Sequence, residues 1–187
     1  KYMNKIRIAI VGLGNCASSL VQGLEYYKDS TKTSKGLMHP IIGTYTIDSI
    51  EVVACWDVND LKIGRSIAQA VWMAPNCTTK FSDVNSEVIV LAAPILDGLS
   101  PRMLNKIACT GEPEFSYELL NQTPWEQLET LAPVIGWKEI IYKQIDKSGP
   151  DIIISYLPVG SVHASRFWAQ ACIDKGIAFI NAIPEFI

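Results

Sequence analysis

The chain has 187 residues, 16 Lys+Arg against 19 Asp+Glu, a formal net charge of −3, and 49% hydrophobic against 19% charged residues. That length suits one domain, the apolar share excludes a disordered chain, and a pI near 5.4 lacks the basic footprint of a nucleic-acid binder. Five scattered cysteines (Cys16, Cys55, Cys77, Cys109, Cys172) include no CxxC pair, which excludes a zinc set or a disulfide framework and points to a reducing cytoplasm.

No apolar run approaches the ~20 residues of a membrane-spanning helix. Residues 1–7 are basic and 8–13 apolar, but the apolar stretch is short of the ~7–15 residues of a secretory leader and holds a glycine. A buried strand running into a glycine turn accounts for the same letters. The β-branched run 6–11 is that strand, ending at Gly12. Ala17, Leu20, Val21, Leu24 and Tyr27 then mark one face of a helix. Residues 28–49, rich in Ser, Thr, Gly and Pro, read as an inserted loop with a short ordered excursion. A second strand, 50–56, ends at Asp57, and Ile63, Ile67, Ala70 and Val71 give a second helix. A third strand covers 87–93, and residues 94–115 show no period. Thr123, Pro124 and Glu126 stand as N-cap, N1 and N3 of a helix. Trp137, Ile140, Ile141 and Ile145 give another, stopped by Gly149 and Pro150. Residues 151–156 form a fourth strand, Ser161 caps a helix closed by Gly176, and 177–181 form a fifth strand. Apolar strands alternating with helices predict an α/β fold: a Rossmann-type doubly wound parallel sheet of about five to six strands. The chain stops soon after a strand with no covering helix, so the fold is expected to be incomplete.

Gly12-Leu13-Gly14-Asn15-Cys16-Ala17 fits G-x-G-x-x-A between the first strand and the first helix. The first glycine permits the tight turn, the second admits a pyrophosphate, and Ala17 keeps the helix close to the sheet. The partner expected of this turn is an acid at the end of the second strand, about 20 positions on, holding the adenosine ribose. Asp57 stands 57 − 12 = 45 positions on, and setting aside the 21 residues 28–48 leaves 24. A carboxylate there would repel a 2′-phosphate, which favours NAD over NADP. The alternative is a polar strand-end residue that caps the next helix.

Six stretches occur in order along nearly the whole chain: GLGNCASSLVQGLEYY (12–27), GLMH (36–39), Trp56-Asp57-Val58, Leu96-Asp97-Gly98, SYLPVGS (155–161) and FINAIPEFI (179–187). Together they closely resemble the bacterial and archaeal myo-inositol-1-phosphate synthases. The resemblance implies that residues 1–187 are an NAD-binding domain with an insertion at about 28–49. It implies an isomerase that converts glucose 6-phosphate to inositol phosphate by oxidation at C5, enolisation, intramolecular aldol closure and reduction. It also implies a homo-oligomer, a tetramer in the family, and in some members a divalent metal ion. Carried over by position, Gly12, Gly14, Asn15, Cys16 and Ala17 touch the pyrophosphate and nearby ribose, and Asp57 holds the adenosine ribose. Asp97, Ser155 and the turn Leu157, Pro158, Val159, Gly160 and Ser161 line the cofactor, while Asn181 and Ala182 approach the nicotinamide end. The lysine-rich catalytic domain of the family lies beyond Ile187, so no catalytic residue and no metal ligand is expected in this chain, and the chain alone is expected to be inactive. Relatives usually carry a threonine where Ile95 stands, and isoleucine cannot supply that hydroxyl. The alternatives are another NAD-dependent sugar oxidoreductase and a non-catalytic NAD-binding module.

Several residues have plainer readings. Cys16 is a small residue facing the cofactor rather than a reactive thiol. Asp97 is equally readable as a turn residue before Gly98. His39 and His163 lack metal-ligand partners in the sequence, and His163 reads as solvated. Phe167 and Trp168 are core or interface. Lys62, Arg65, Lys138 and Lys143 read as solvated helix positions. Apolar surface meant for a further domain would make the chain self-associate.

Overall fold

In the computed structural model, the structure describes residues 5–29, 36–99, 119 and 122–187. Five parallel strands form one sheet in the order β3-β2-β1-β4-β5. They are β1 (Ile6–Val11), β2 (Ile50–Asp57), β3 (Val90–Ala92), β4 (Ile152–Ser155) and β5 (Ala178–Asn181). The helices are α1 (Asn15–Tyr26), α2 (Ile67–Ala70), α3 (Trp125–Leu128), α4 (Ala132–Ser148) and α5 (Val162–Lys175). The chain leaves β1 towards β2 and β3, then returns to lay β4 and β5 on the other side of β1. The strand order therefore reverses between β1 and β4, and a crevice opens beyond their carboxyl ends, where doubly wound sheets bind ligands. This is the α/β fold expected from the sequence.

The period-2 alternation of strands splits the core between the two sheet faces. Ala9, Val11, Ala54 and Trp56 point to one face, where α4 and α5 bury Ile141, Ile145, Phe167 and Trp168. Ile10 and Cys55 point to the other, against Leu13, Ala17, Val21, Ile67 and Val71. Trp56 lies 5.0 Å from Trp168, centroid to centroid, and its indole N–H donates to Gln144 Oε1 at 2.7 Å. Phe167 and Trp168 are thus core.

Several elements differ from expectation. The second helix shrinks to α2, because residues 59–64 turn instead: Lys62 N–H and Ile63 N–H both donate to Asn59 C=O. The third strand shrinks to Val90–Ala92, because the backbone of 86–89 serves α2 rather than β2. Ile67 N–H donates to Val88 C=O and Ala68 N–H to Ser86 C=O. Pro124, not Thr123, is the N-cap of α3, with no side-chain cap bond. Helix α4 buries Val134, Ile141 and Ile145, whereas Ile140 is exposed. Of residues 28–49, Ile47–Ser49 form a short 3-10 helix with a Thr46–Ser49 capping box; positions 30–35, and 100–115 of the stretch without a period, lie outside the described residues. Gly149 and Gly176, at φ 56° and 64°, close α4 and α5 in the left-handed region as expected.

Candidate functional site

A cleft of about 220 Å³ opens at the carboxyl ends of β1, β2 and β3, against the chain that follows β4. Of the residues expected to bind, it gathers Gly12, Gly14, Asn15, Asp57, Asp97, Leu157 and Pro158. Cys16, Ala17, Ser155, Gly160, Ser161, Asn181 and Ala182 do not line it.

The turn explains its glycines. Gly12 has φ 85°, and a Cβ there would stand 2.9 Å from the Tyr156 carbonyl oxygen, so β1 passes the β4 loop too closely for a side chain. Gly14 is the N-cap of α1 and has no such neighbour; a Cβ would meet nothing within 4 Å, which leaves space in front of the helix. No side chain caps α1 and its first turn holds no acid. A helix start in that state presents free backbone N–H groups and the positive end of its dipole, an arrangement that accepts an anion such as a phosphate. Ala17 is fully buried behind this point and packs α1 on the sheet. Asn15 turns away to clamp a neighbouring loop, its Oδ1 accepting from Cys77 N–H at 2.8 Å and Thr78 Oγ1 at 2.9 Å. Cys16 is exposed.

Asp57 is 8% exposed and its carboxylate already serves the chain. Oδ1 accepts from Val58 N–H and Asn59 N–H at 2.8 and 2.9 Å, and Oδ2 accepts from Leu13 N–H at 2.8 Å. Lys62 was expected to be solvated; instead it is 3% exposed, with Nζ 3.5 Å from Asp57 Oδ2. The residues between Asp57 and α2 coil rather than form a helix, so the lysine that a helix would turn outward folds under the glycine turn. Asn59, Lys62 and Asn76 line the cleft and were not anticipated. The one signal for them is the Asp57-Val58-Asn59 spacing, typical of side chains that bond nearby backbone: Asn59 Oδ1 accepts from Leu61 N–H at 2.9 Å.

Asp97 caps α5 from a different loop. Its Oδ2 accepts from His163 N–H at 2.7 Å and its Oδ1 from Ala164 N–H at 2.9 Å. Burial raises its carboxyl above the usual carboxylate range, and the backbone bonds of Ala164, His163 and Val162 pull it back. Ser161 holds the N-cap position of α5, but its hydroxyl makes no cap bond. Gly98 lies so close that an added Cβ would collide with Ser161 Oγ at 1.9 Å. His163, expected to be solvated, is half-buried and stacks on Trp125 at 6.1 Å. Ser155 is fully buried at the end of β4, and its C=O accepts from Ala182 N–H at 3.1 Å. Glu185 ties the remaining residues together: Oε1 accepts from Gly160 N–H at 2.5 Å and its C=O accepts from Asn181 Nδ2 at 2.8 Å. Burial also pushes the Tyr156 phenol up, with Cys16 a lesser cause.

Over 185 residues, 97% of this chain, the sequence is 41% identical to the inositol-3-phosphate synthase of Corynebacterium glutamicum. The chain is related to the inositol-3-phosphate synthases. It is 39% identical over 186 residues to the inositol-3-phosphate synthase of Mycobacterium tuberculosis, and 37% over 190 residues to that of Mycolicibacterium smegmatis. The chain spans 44–46% of the length of these inositol-3-phosphate synthases. No protein-family model matches it. Among solved structures, it resembles Ari2 with a TM-score of 0.71 and 22% identity, over 98% of this chain and 46% of that one. It also resembles a myo-inositol-1-phosphate synthase-related protein from Thermotoga maritima, with a TM-score of 0.65 and 19% identity, over 98% of this chain and 49% of that one. Both likenesses concern the fold. Among the described residues, no three His, Cys, Asp or Glu side chains stand together as a metal site, and no helix is long and apolar enough to cross a membrane.

Proposed function

We propose that residues 1–187 serve as the NAD-binding domain of an inositol-phosphate synthase, which converts glucose 6-phosphate to 1D-myo-inositol 3-phosphate. The observation that carries this reading is the uncapped start of α1, with open space before Gly14, at the point where the strand order reverses. Kinship to the inositol-3-phosphate synthases supports the reaction. Bound NAD would take up and return the hydride at the sugar's C5. The amides that open α1 hold the pyrophosphate, and the dipole of this twelve-residue helix adds to their attraction for the anion. Asp57 sits where the adenosine ribose arrives; three backbone N–H bonds fix the carboxylate, so it approaches the sugar without reorganising. Leu157 and Pro158 give the cofactor an apolar wall that excludes water. Gly160 and Ser161, after β4, would line the cofactor, and Asn181, the last residue of β5, and Ala182 would approach its nicotinamide end. The cyclisation chemistry, a divalent metal ion where one is used, and the contacts of a homo-oligomer belong to the complete enzyme, which we place in the cytoplasm.

Isothermal titration of the purified chain tests this reading. Saturable binding of NAD, with NADP bound more weakly because of Asp57, is expected. Absence of binding, together with an unchanged melting temperature in millimolar NAD, would overturn it.

A further inference from the structure

Leu13, the middle residue of the glycine turn, is held through both of its peptide groups. Its N–H donates to Asp57 Oδ2 at 2.8 Å. Its C=O accepts from Lys62 Nζ at 2.7 Å and from Asn76 Nδ2 at 3.0 Å. Lys62 Nζ also donates to Asn76 Oδ1 at 3.0 Å and stands 3.5 Å from Asp57 Oδ2. The lysine lines the same cleft, with 3% of its surface exposed.

A buried ammonium costs several kcal/mol in desolvation, and apolar side chains of similar volume often replace buried ion pairs without loss. The fold alone therefore does not demand a lysine here. Two consequences of the charge bear on a ligand. First, it clamps the Leu13 carbonyl, and with it the Leu13–Gly14 peptide plane. Second, it balances Asp57, whose bare negative charge would otherwise sit beside any phosphate at the start of α1.

We propose that Lys62 is a positioning residue for the dinucleotide: through Leu13 it sets the glycine turn in its anion-accepting conformation, and through Asp57 it keeps the site from repelling a diphosphate. This rests on the NAD reading above. Lys62 acts through the turn and need not touch the cofactor.

The test compares NAD titrations of the wild-type chain, Lys62→Met and Lys62→Gln, with hydrogen–deuterium exchange of the turn in the absence of NAD. Lys62→Met is expected to weaken NAD binding about tenfold or more, because the turn must then order on binding against an uncompensated charge. The Leu13 amide is expected to exchange faster in the same variant. Lys62→Gln retains one donor for the Leu13 carbonyl and lacks the charge; it serves where Lys62→Met does not fold, with a several-fold loss expected. Ile141→Ala, in the core on the opposite sheet face, is the control: it is expected to lower the melting temperature and leave the NAD affinity of the folded protein unchanged. A lysine with a merely structural role would behave like that control. NAD affinity equal to wild type in a folded Lys62 variant would overturn the inference and leave the NAD site standing. A wild-type chain that binds no NAD would overturn both.

Discussion

Asp57 and Lys62 form a pair whose side chains are only 9% and 4% exposed, placed between the end of β2 and the glycine turn. Removing one charge from such a pair leaves the other buried. Asp57→Asn is therefore expected to destabilise the fold by about 2–4 kcal/mol, read from the urea midpoint at constant slope. Thiol labelling gives a second residue-scale prediction. Cys55 is fully buried and desolvation raises its thiol, with Asp57 adding to the effect, and burial pushes Cys172 up to about 12. Iodoacetamide near neutral pH should leave both untouched and modify Cys16 and Cys77, which are exposed, and bound NAD should slow the modification of Cys16. The glycines and Asp57 were legible in the sequence because a turn and a strand end fix their surroundings locally. Lys62 was not, because its burial depends on residues 59–64 coiling where the apolar spacing of Ile63, Ile67 and Ala70 suggests a helix. Gln22 was missed for a like reason: it sits on the core side of α1, where its Oε1 accepts from Phe81 N–H at 2.9 Å and holds a distant loop.

At the level of elements, α5 takes its cap from the loop after β3 rather than from its own N-cap serine. Asp97→Ala removes both acceptors and is expected to cost about 1–2 kcal/mol in thermal unfolding. Asp97→Asn isolates the titration. Because burial raises the folded carboxyl, the stability linked to its proton is full below the ordinary carboxylate range and is lost as pH rises through the raised value. The stability of the wild type relative to Asp97→Asn should thus be greatest below the ordinary aspartate value of about 3.9 and fall as pH rises above it. A difference that grew with pH would contradict this assignment. Strand and helix types were legible because apolar runs and glycine stops are local signals. Their lengths were not: β3 starts late because the carbonyls of Ser86 and Val88 accept from the amides at the start of α2, and such sharing of partners between elements leaves no mark in hydrophobic period.

In the whole molecule, β1, β2 and β3 carry apolar residues to both faces of the sheet, which is why alternating strands and helices sufficed to predict a doubly wound sheet. The cleft lies where that topology places it, between the turns after β1, β2 and β3 and the chain after β4. The edge strand β5 exposes Ile180, and the neighbouring Val159 and Phe186 are 70% and 96% exposed on either side of the Gly160–Glu185 bond. Apolar side chains that open to water favour contact with another copy, so light scattering should show a mass that rises with concentration; a monomer across the range would contradict that expectation. The central claim is that a diphosphate sits at the start of α1, and the most direct measurement is an NAD titration of isotope-labelled chain followed by amide NMR. The backbone amides of Gly14, Asn15 and Cys16 are predicted to move first and farthest, with those of α4 unmoved. Shifts centred elsewhere, with the α1 amides unchanged at saturation, would contradict it.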